Sequence, residues 1–196
     1  MSAPQRREQL LDVTAEMVSE HGFGAVSIQS VARAAGISRP IIYEHFGDLP
    51  GLLKALVARE MDQALAQVSQ PGLADLAAGD PAELLLESLR TYLVAVAEHP
   101  HTWRLVLMPP EGAPEILRRS IVRGRTGVLE RLTRAVAPGL TPGRQAPDPE
   151  VTARTLSAIA DEYARLILTD PAEFSIDRLV NHARWFLSQL PSSADR

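Results

Sequence analysis

SIQSVARAAGISRPIIYEHF, residues 27–46, reads as two short helices joined by a tight turn at Gly36-Ile37-Ser38. Ser27 is placed to cap the first helix, its hydroxyl accepting one of the backbone N–H groups that an opening turn leaves without a partner. Val31, Ala32 and Ala35 supply that helix's buried face. Gly36 stands where a helix closes in a left-handed residue, which costs little without a β-carbon, and Ile37 can fold back on the preceding turn. Ser38 is expected to cap the second helix with its side chain, and Pro40 falls in the first turn, where a missing N–H is no loss. Ile42 and Phe46 then point towards the first helix, and Ser38, Arg39, Pro40, Ile41, Tyr43, Glu44 and His45 face outward. An outward set of this kind suits a recognition helix, whose N-terminal residues meet base edges in the major groove while hydroxyls and cations hold phosphates. The candidate DNA contacts are Ser27, Gln29 and Arg33 on the first helix and Ser38, Arg39, Pro40, Ile41, Tyr43 and His45 on the second.

Residues 5–55 resemble the N-terminal DNA-binding domain of the TetR (tetracycline repressor-like) family. The likeness is carried by a helix from Gln5 to His21, then Gly22-Phe23, Ser27, Val31-Ala32, Ala35-Gly36-Ile37-Ser38, Tyr43 and Phe46. The resemblance implies that Ser27 and Tyr43 bind phosphate and that the positions from Ser38 to Ile41 face the bases. It also implies an all-α protein, with a three-helix helix-turn-helix head and a C-terminal helical body for ligand binding and dimerisation. One position departs from the pattern. The family carries a Lys shortly after the Phe, and Leu49 occupies that place here, which removes an expected phosphate contact.

The chain has 196 residues, ample for a real core, and a formal net charge of -4, without the global positive charge common among nucleic-acid-binding proteins. The head itself is not basic. Arg6, Arg7, Arg33, Arg39, Lys54 and Arg59 stand against Glu8, Asp12, Glu16, Glu20, Glu44, Asp48 and Glu60. Specific binding would rest on a local patch of Arg6, Arg7, Arg33 and Arg39 with helix N-termini, supplemented by dimerisation. The absence of cysteine rules out disulfides, thiol redox switching and Cys-based zinc sites. No apolar run has signal-peptide or membrane-spanning length, so the cytoplasm is the expected compartment.

Further along, Pro and Gly punctuate amphipathic segments without any alternating run that argues for a sheet. The expected division is a DNA-binding domain over 1–48, a connecting helix over 49–70, a ligand-binding and dimerisation body over 71–190 and a tail over 191–196. Asp48 opens the connecting helix, with Leu52, Leu53, Leu56, Val57, Met61, Leu65 and Val68 at helical spacing. Asp80-Pro81 opens the next helix, whose apolar face carries Leu84, Leu85, Leu89, Tyr92, Leu93 and Val96. A short helix over 102–108 precedes a long one from Glu115 to Ala137, whose arginines read mostly as solvated. Residues 71–80 and 138–149 read as loops.

The last two helices run from Asp148-Pro149 to Leu168 and from Ser175 to Leu190. Leu156, Ile159, Leu166, Ile167, Leu179, Ala183, Phe186 and Leu187 give them more apolar surface than one partner helix would cover. The resemblance implies that these helices pair with their symmetry mates in a homodimer that occupies a near-palindromic double-stranded operator. It also implies a small-molecule effector pocket in the body, for which Tyr92, Trp103, Leu107, Met108, Leu117, Ile121 and Tyr163 form an apolar lining and His101, Arg123 and Glu162 the polar positions. No cofactor and no metal site is expected. His99-Pro100-His101 is a loop rather than a ligand pair, Gly22-Phe23-Gly24 lacks a phosphate-loop pattern, and no catalytic signature occurs. Two function classes follow: a ligand-responsive transcriptional regulator, most simply a repressor, and a helical ligand-binding or scaffold protein of the same fold that does not bind an operator.

Overall fold

The computed structural model describes residues 1–68, 80–137 and 148–188. Most of the expected loops 71–80 and 138–149, together with Leu190 and the tail 191–196, lie outside the described residues. The elements in chain order are α1 (Ala3–His21), a 3-10 turn (Phe23–Ala25), α2 (Ile28–Ala34), α3 (Arg39–Phe46), α4 (Leu49–Val68), α5 (Pro81–Glu98), α6 (Pro100–Leu107), α7 (Glu115–Val136), α8 (Pro149–Thr169) and α9 (Ile176–Ser188). Among the described residues every regular element is helical, as the unbroken helical periodicity predicts.

The residues form two compact units, Met1–Leu65 with His101–Arg123 and Ala66–Pro100 with Gly124–Arg196. In the first, α1 begins at Ala3 rather than Gln5, because Ser2 and Gln5 form a capping box ahead of the apolar pattern. Leu10 and Val18 of α1, Val31 of α2, Ile42 of α3 and Leu52 and Leu56 of α4 are fully buried in one core, which Leu105 of α6 and Ala113 and Leu117 join. The small residues of α2 let α3 approach closely, so Ile42 is sealed although α3 has only 8 residues.

Two glycines set the geometry of α3. Gly36 has φ 65°; its N–H donates to the Arg33 carbonyl and that of Ile37 to the Ala32 carbonyl, the paired closure of a helix that turns away sharply. Gly51 is required for a different reason. A β-carbon there would lie 2.0 Å from the Phe46 carbonyl oxygen, so the opening turn of α4 is pressed onto the end of α3. Asp48 caps that turn, its Oδ1 accepting from the Gly51 N–H at 2.7 Å.

The second unit packs α5 against α8 and α9. Its buried residues include Leu86, Leu93 and Val96 of α5, Tyr163, Ala164, Ile167 and Leu168 of α8, and Leu179, Val180 and Ala183 of α9. Leu84, Leu85 and Leu89, read from spacing as part of the α5 face, are only half-buried, and Leu86 is the residue that fills the core. Asp80 and Asp148 cap α5 and α8 through their carboxylates, as expected.

Candidate nucleic-acid interface

At α2, Ser27 forms a closed box with Ser30: its Oγ accepts from the Ser30 N–H at 3.0 Å, and its own N–H donates to Ser30 Oγ at 2.8 Å. Ser30 was not among the sequence candidates, because a serine replaces the usual Glu or Gln at the third helical position. Ser38 corrects one expectation. It occupies the N-cap position of α3 with extended backbone, but its hydroxyl makes no capping bond. The reason is local: Pro40 offers no N–H, and the Ile41 N–H is taken by the Ser38 carbonyl at 3.2 Å. The exposed Ser38 hydroxyl therefore faces outward rather than serving the helix.

Gln29, Arg33, Arg39 and Pro40 are exposed, Tyr43 is 51% exposed, and Ile41 and His45 are half-buried. Among the described residues the side chains of Arg33 and Arg39 make no hydrogen bond or ion pair, which leaves both guanidinium groups exposed to solvent or to a partner molecule. Arg7 is different. Its guanidinium sits 4.5 Å over the Phe46 ring and donates to the His45 carbonyl at 3.2 Å, so it closes the C-terminal end of α3 instead of joining a free basic patch. Arg6 donates to Gln9 Oε1 at 2.5 Å.

The acidic balance of the head is also distributed unevenly. Arg59 Nη1 meets Asp12 at 2.7 Å and Glu8 at 3.2 Å, and its Nη2 meets Glu60 at 2.8 Å. Three of the seven acids thus converge on one cation. Leu49, standing where a Lys was expected, is half-buried against the head core.

The residues read as an effector lining fall into both units. Trp103, Leu107 and Leu117 are buried and Met108 and Ile121 half-buried, all in the first. The first unit also holds His101, with Nδ1 2.8 Å from Ser19 Oγ, and Arg123, which donates to Ser120 Oγ at 3.1 Å. Tyr92, Glu162 and Tyr163 are in the second. There Glu162 pairs with Arg165, and the Tyr163 hydroxyl lies 2.6 Å from His182 Nδ1. Tyr92 donates to Asp161, which also pairs with Arg125 at 2.5 Å. Burial, followed by the neighbouring Asp161 charge, pushes the Tyr92 phenol far above its ordinary range. Burial likewise raises the Asp161 carboxyl, against the pull of Arg125 and Arg165.

Of the residues read as a dimer seam, Ile167, Leu179 and Ala183 are buried within their own unit. Leu156, Ile159, Leu166 and Leu187 are half-buried, and Phe186 is 38% exposed. Trp185, missed because it falls outside the apolar stripe, is 58% exposed beside Phe186. Among the described residues no group of three or more His, Cys, Asp or Glu could hold a metal, and no helix is long and apolar enough to cross a membrane.

The sequence model for bacterial regulatory proteins of the tetR family matches residues 10–56. The transcriptional regulator AlkX of Mycobacterium tuberculosis is 27% identical over 135 residues, 69% of this chain and 62% of that protein. The regulator BetI of Yersinia pestis is 37% identical over 95 residues, 48% of this chain and 43% of that protein. The chain therefore spans less than two thirds of the length of these curated relatives. Among solved structures, a TetR-like transcriptional regulator from Rhodococcus sp. RHA1 superposes with a TM-score of 0.71 at 23% identity, covering 94% of this chain and 96% of that one. AibR in complex with isovaleryl coenzyme A and operator DNA gives a TM-score of 0.69 at 19% identity, covering 92% and 97%. At these identities the likeness is one of fold.

Proposed function

We propose that this chain, whose residues 10–56 match the sequence model of the tetR family of bacterial regulatory proteins, is a ligand-responsive DNA-binding transcriptional regulator, a repressor released by a small and largely apolar molecule. The observation that carries the reading is the outer face of α2 and α3: Arg33, Arg39 and the half-exposed Tyr43 project outward, and the two arginines make no hydrogen bond or ion pair among the described residues. Arg39 and the pair Pro40-Ile41, with Ser38 beside them, face bases, and Ser27, Tyr43 and His45 hold phosphates. Two copies joined through the exposed aromatic end of α9 and the half-buried stripe of α8 present two heads to a near-palindromic operator, because two-fold symmetry in the protein is matched by two-fold symmetry in the site. The effector works by population shift. It needs only to bind more tightly to the form whose head spacing misfits successive major grooves. The cytoplasm is the compartment this role requires.

Binding is tested by fluorescence anisotropy with the DNA adjoining the chain's own gene, at two salt concentrations and against a random duplex. Saturable binding that prefers the adjoining DNA supports the regulator. Small apolar molecules are the first effectors to add, and acyl coenzyme A thioesters, which carry an apolar chain on a charged carrier, are the contrasting class, since AibR is solved with isovaleryl coenzyme A. The rival reading, a helical ligand-binding or scaffold protein, draws on Leu49, which is packed against the core where a phosphate-binding Lys was expected. Equal, weak binding to all duplexes would favour it.

A further inference from the structure

Among the described residues the buried polar side chains are Thr14, Glu60 and Thr102, and of these Glu60 alone carries a charge. Thr14 donates to the Leu10 carbonyl within its own helix. Glu60 does something else. One carboxylate oxygen accepts from the Thr102 hydroxyl of α6, and the other accepts from Arg59 Nε at 3.1 Å and Nη2 at 2.8 Å. The far end of the same guanidinium reaches Asp12 and Glu8 on α1. A carboxylate at 2% exposure is expensive to desolvate, and a well-packed apolar residue would do as well for stability alone. What an apolar residue cannot do is fix the three helices in one register through directional bonds.

The register matters because of what lies next on α1. Arg7, adjacent to Glu8, stacks on Phe46 and holds the His45 carbonyl, the last turn of the recognition helix. A continuous set of contacts therefore runs from Thr102 through Glu60 and Arg59 to α1, and from α1 to the end of α3, all inside the first unit.

We propose that Thr102, Glu60 and Arg59 are positioning residues of the DNA-reading face: a buried hydrogen-bonded cluster that orients α1 and, through Arg7, the recognition helix. The inference rests on the regulator reading for its functional consequence, but its structural content is independent of DNA. Thr102 contacts no candidate DNA residue, yet its hydroxyl sets the angle at which Arg39 and Ile41 meet bases.

The test uses the full chain with Thr102→Val, which keeps the side chain's shape and strips one donor from Glu60, and Thr102→Ser, which restores the hydroxyl. Two readouts are taken: the ratio of affinities for the gene-adjoining DNA and a random duplex, and amide hydrogen exchange over residues 39–46. In Thr102→Val the affinity ratio falls about tenfold, as expected for one lost bond to a charged acceptor. Exchange over 39–46 accelerates, and Thr102→Ser recovers both values. If Thr102→Val folds poorly, Glu60→Gln, which keeps an acceptor for Thr102 but weakens the hold of Arg59, takes its place with the same expectation. A lower melting temperature with unchanged exchange over 39–46 and an unchanged affinity ratio would overturn the proposal and leave a merely structural cluster. If the wild type binds no DNA, the regulator reading fails. The exchange comparison still decides the coupling: acceleration upholds it, and no change over 39–46 overturns it.

Discussion

Replacing Arg39 with Ala separates reading from folding more cleanly than any other change in this head. The Arg39 side chain is exposed and has no partner among the described residues, so the substitution should move folding stability by no more than about 0.5 kcal/mol. Its effect on sequence preference should be far larger. A bidentate contact to a guanine discriminates against the wrong base by about 1–3 kcal/mol, and a two-fold dimer makes it twice. The operator preference should therefore fall by about 2–6 kcal/mol, or between about 30-fold and about 10⁴-fold. The assay is competition anisotropy with single-base operator variants at fixed salt, alongside a urea melt. Tyr43→Phe supplies the contrast, since loss of a phosphate contact weakens all sequences alike. Ser27→Ala is a poorer control, because its hydroxyl caps α2 and its removal also costs about 1 kcal/mol of stability. An Arg39→Ala protein that keeps its base preference, or that loses it only in step with unfolding, would refute the assignment.

Gly51→Ala should destabilise the head by about 1–3 kcal/mol, because its β-carbon meets backbone rather than a movable side chain; a urea midpoint equal to wild type would count against the packing of α4 on α3. Phe186→Arg should convert dimer to monomer in light scattering, since a seam that includes Phe186 would bury an unpaired charge, and an unchanged mass would place the dimer contact elsewhere. Burial raises the folded pKa of Asp161 above its unfolded value, so its contribution to stability is present below the unfolded pKa and is lost as pH rises through the folded one. Asp161→Asn carries no such loss, and its urea midpoint should gain on wild type as pH rises above the ordinary carboxylate range; a constant difference would show that Arg125 and Arg165 offset the burial.

The parts legible in the sequence are those fixed by near neighbours. Gly36, Asp48, Asp80 and Asp148 act within four residues of themselves, and each does what its position implies. Ser38 was misread within the same range because two local facts compete, its own capping tendency and the missing N–H of Pro40. Glu60 shows the other kind of failure. In sequence it is one acid on an amphipathic helix, and its partner Thr102 is 42 residues away, so nothing local announces that it is buried. The dimer stripe was read from periodicity alone, which cannot divide a helix face between its own core and a second molecule. Ile167, Leu179 and Ala183 went to the core, while Trp185 and Phe186 stay open. The effector lining was carried over from a resemblance, and its residues sit in two separately packed units.

The head's charge then makes a quantitative demand on how it binds. Of its six cations, Arg59 is committed to Glu8, Asp12 and Glu60, Arg7 to Phe46 and His45, and Arg6 is held by Gln9. Arg33, Arg39 and Lys54 are left exposed without a partner among the described residues. If Arg39 spends its charge on a base, Arg33 and Lys54 of the two heads neutralise four phosphates per operator, and six are neutralised if Arg39 meets phosphate instead. Counterion release then gives a slope of log K against log salt of about -4 to about -5, since each neutralised phosphate contributes about -0.9. Such a shallow slope leaves base contacts and dimerisation to supply the affinity, which is how an acidic chain can bind DNA at all. Arg7→Ala is the internal check. It should weaken operator binding by releasing the end of α3 while leaving the slope unchanged, because Arg7 neutralises no phosphate in this arrangement. A wild-type slope of about -7 to about -9, made shallower by about two in Arg7→Ala, would mean that Arg6 and Arg7 leave their intrachain partners for the DNA backbone, and the committed role of Arg7 would have to be abandoned.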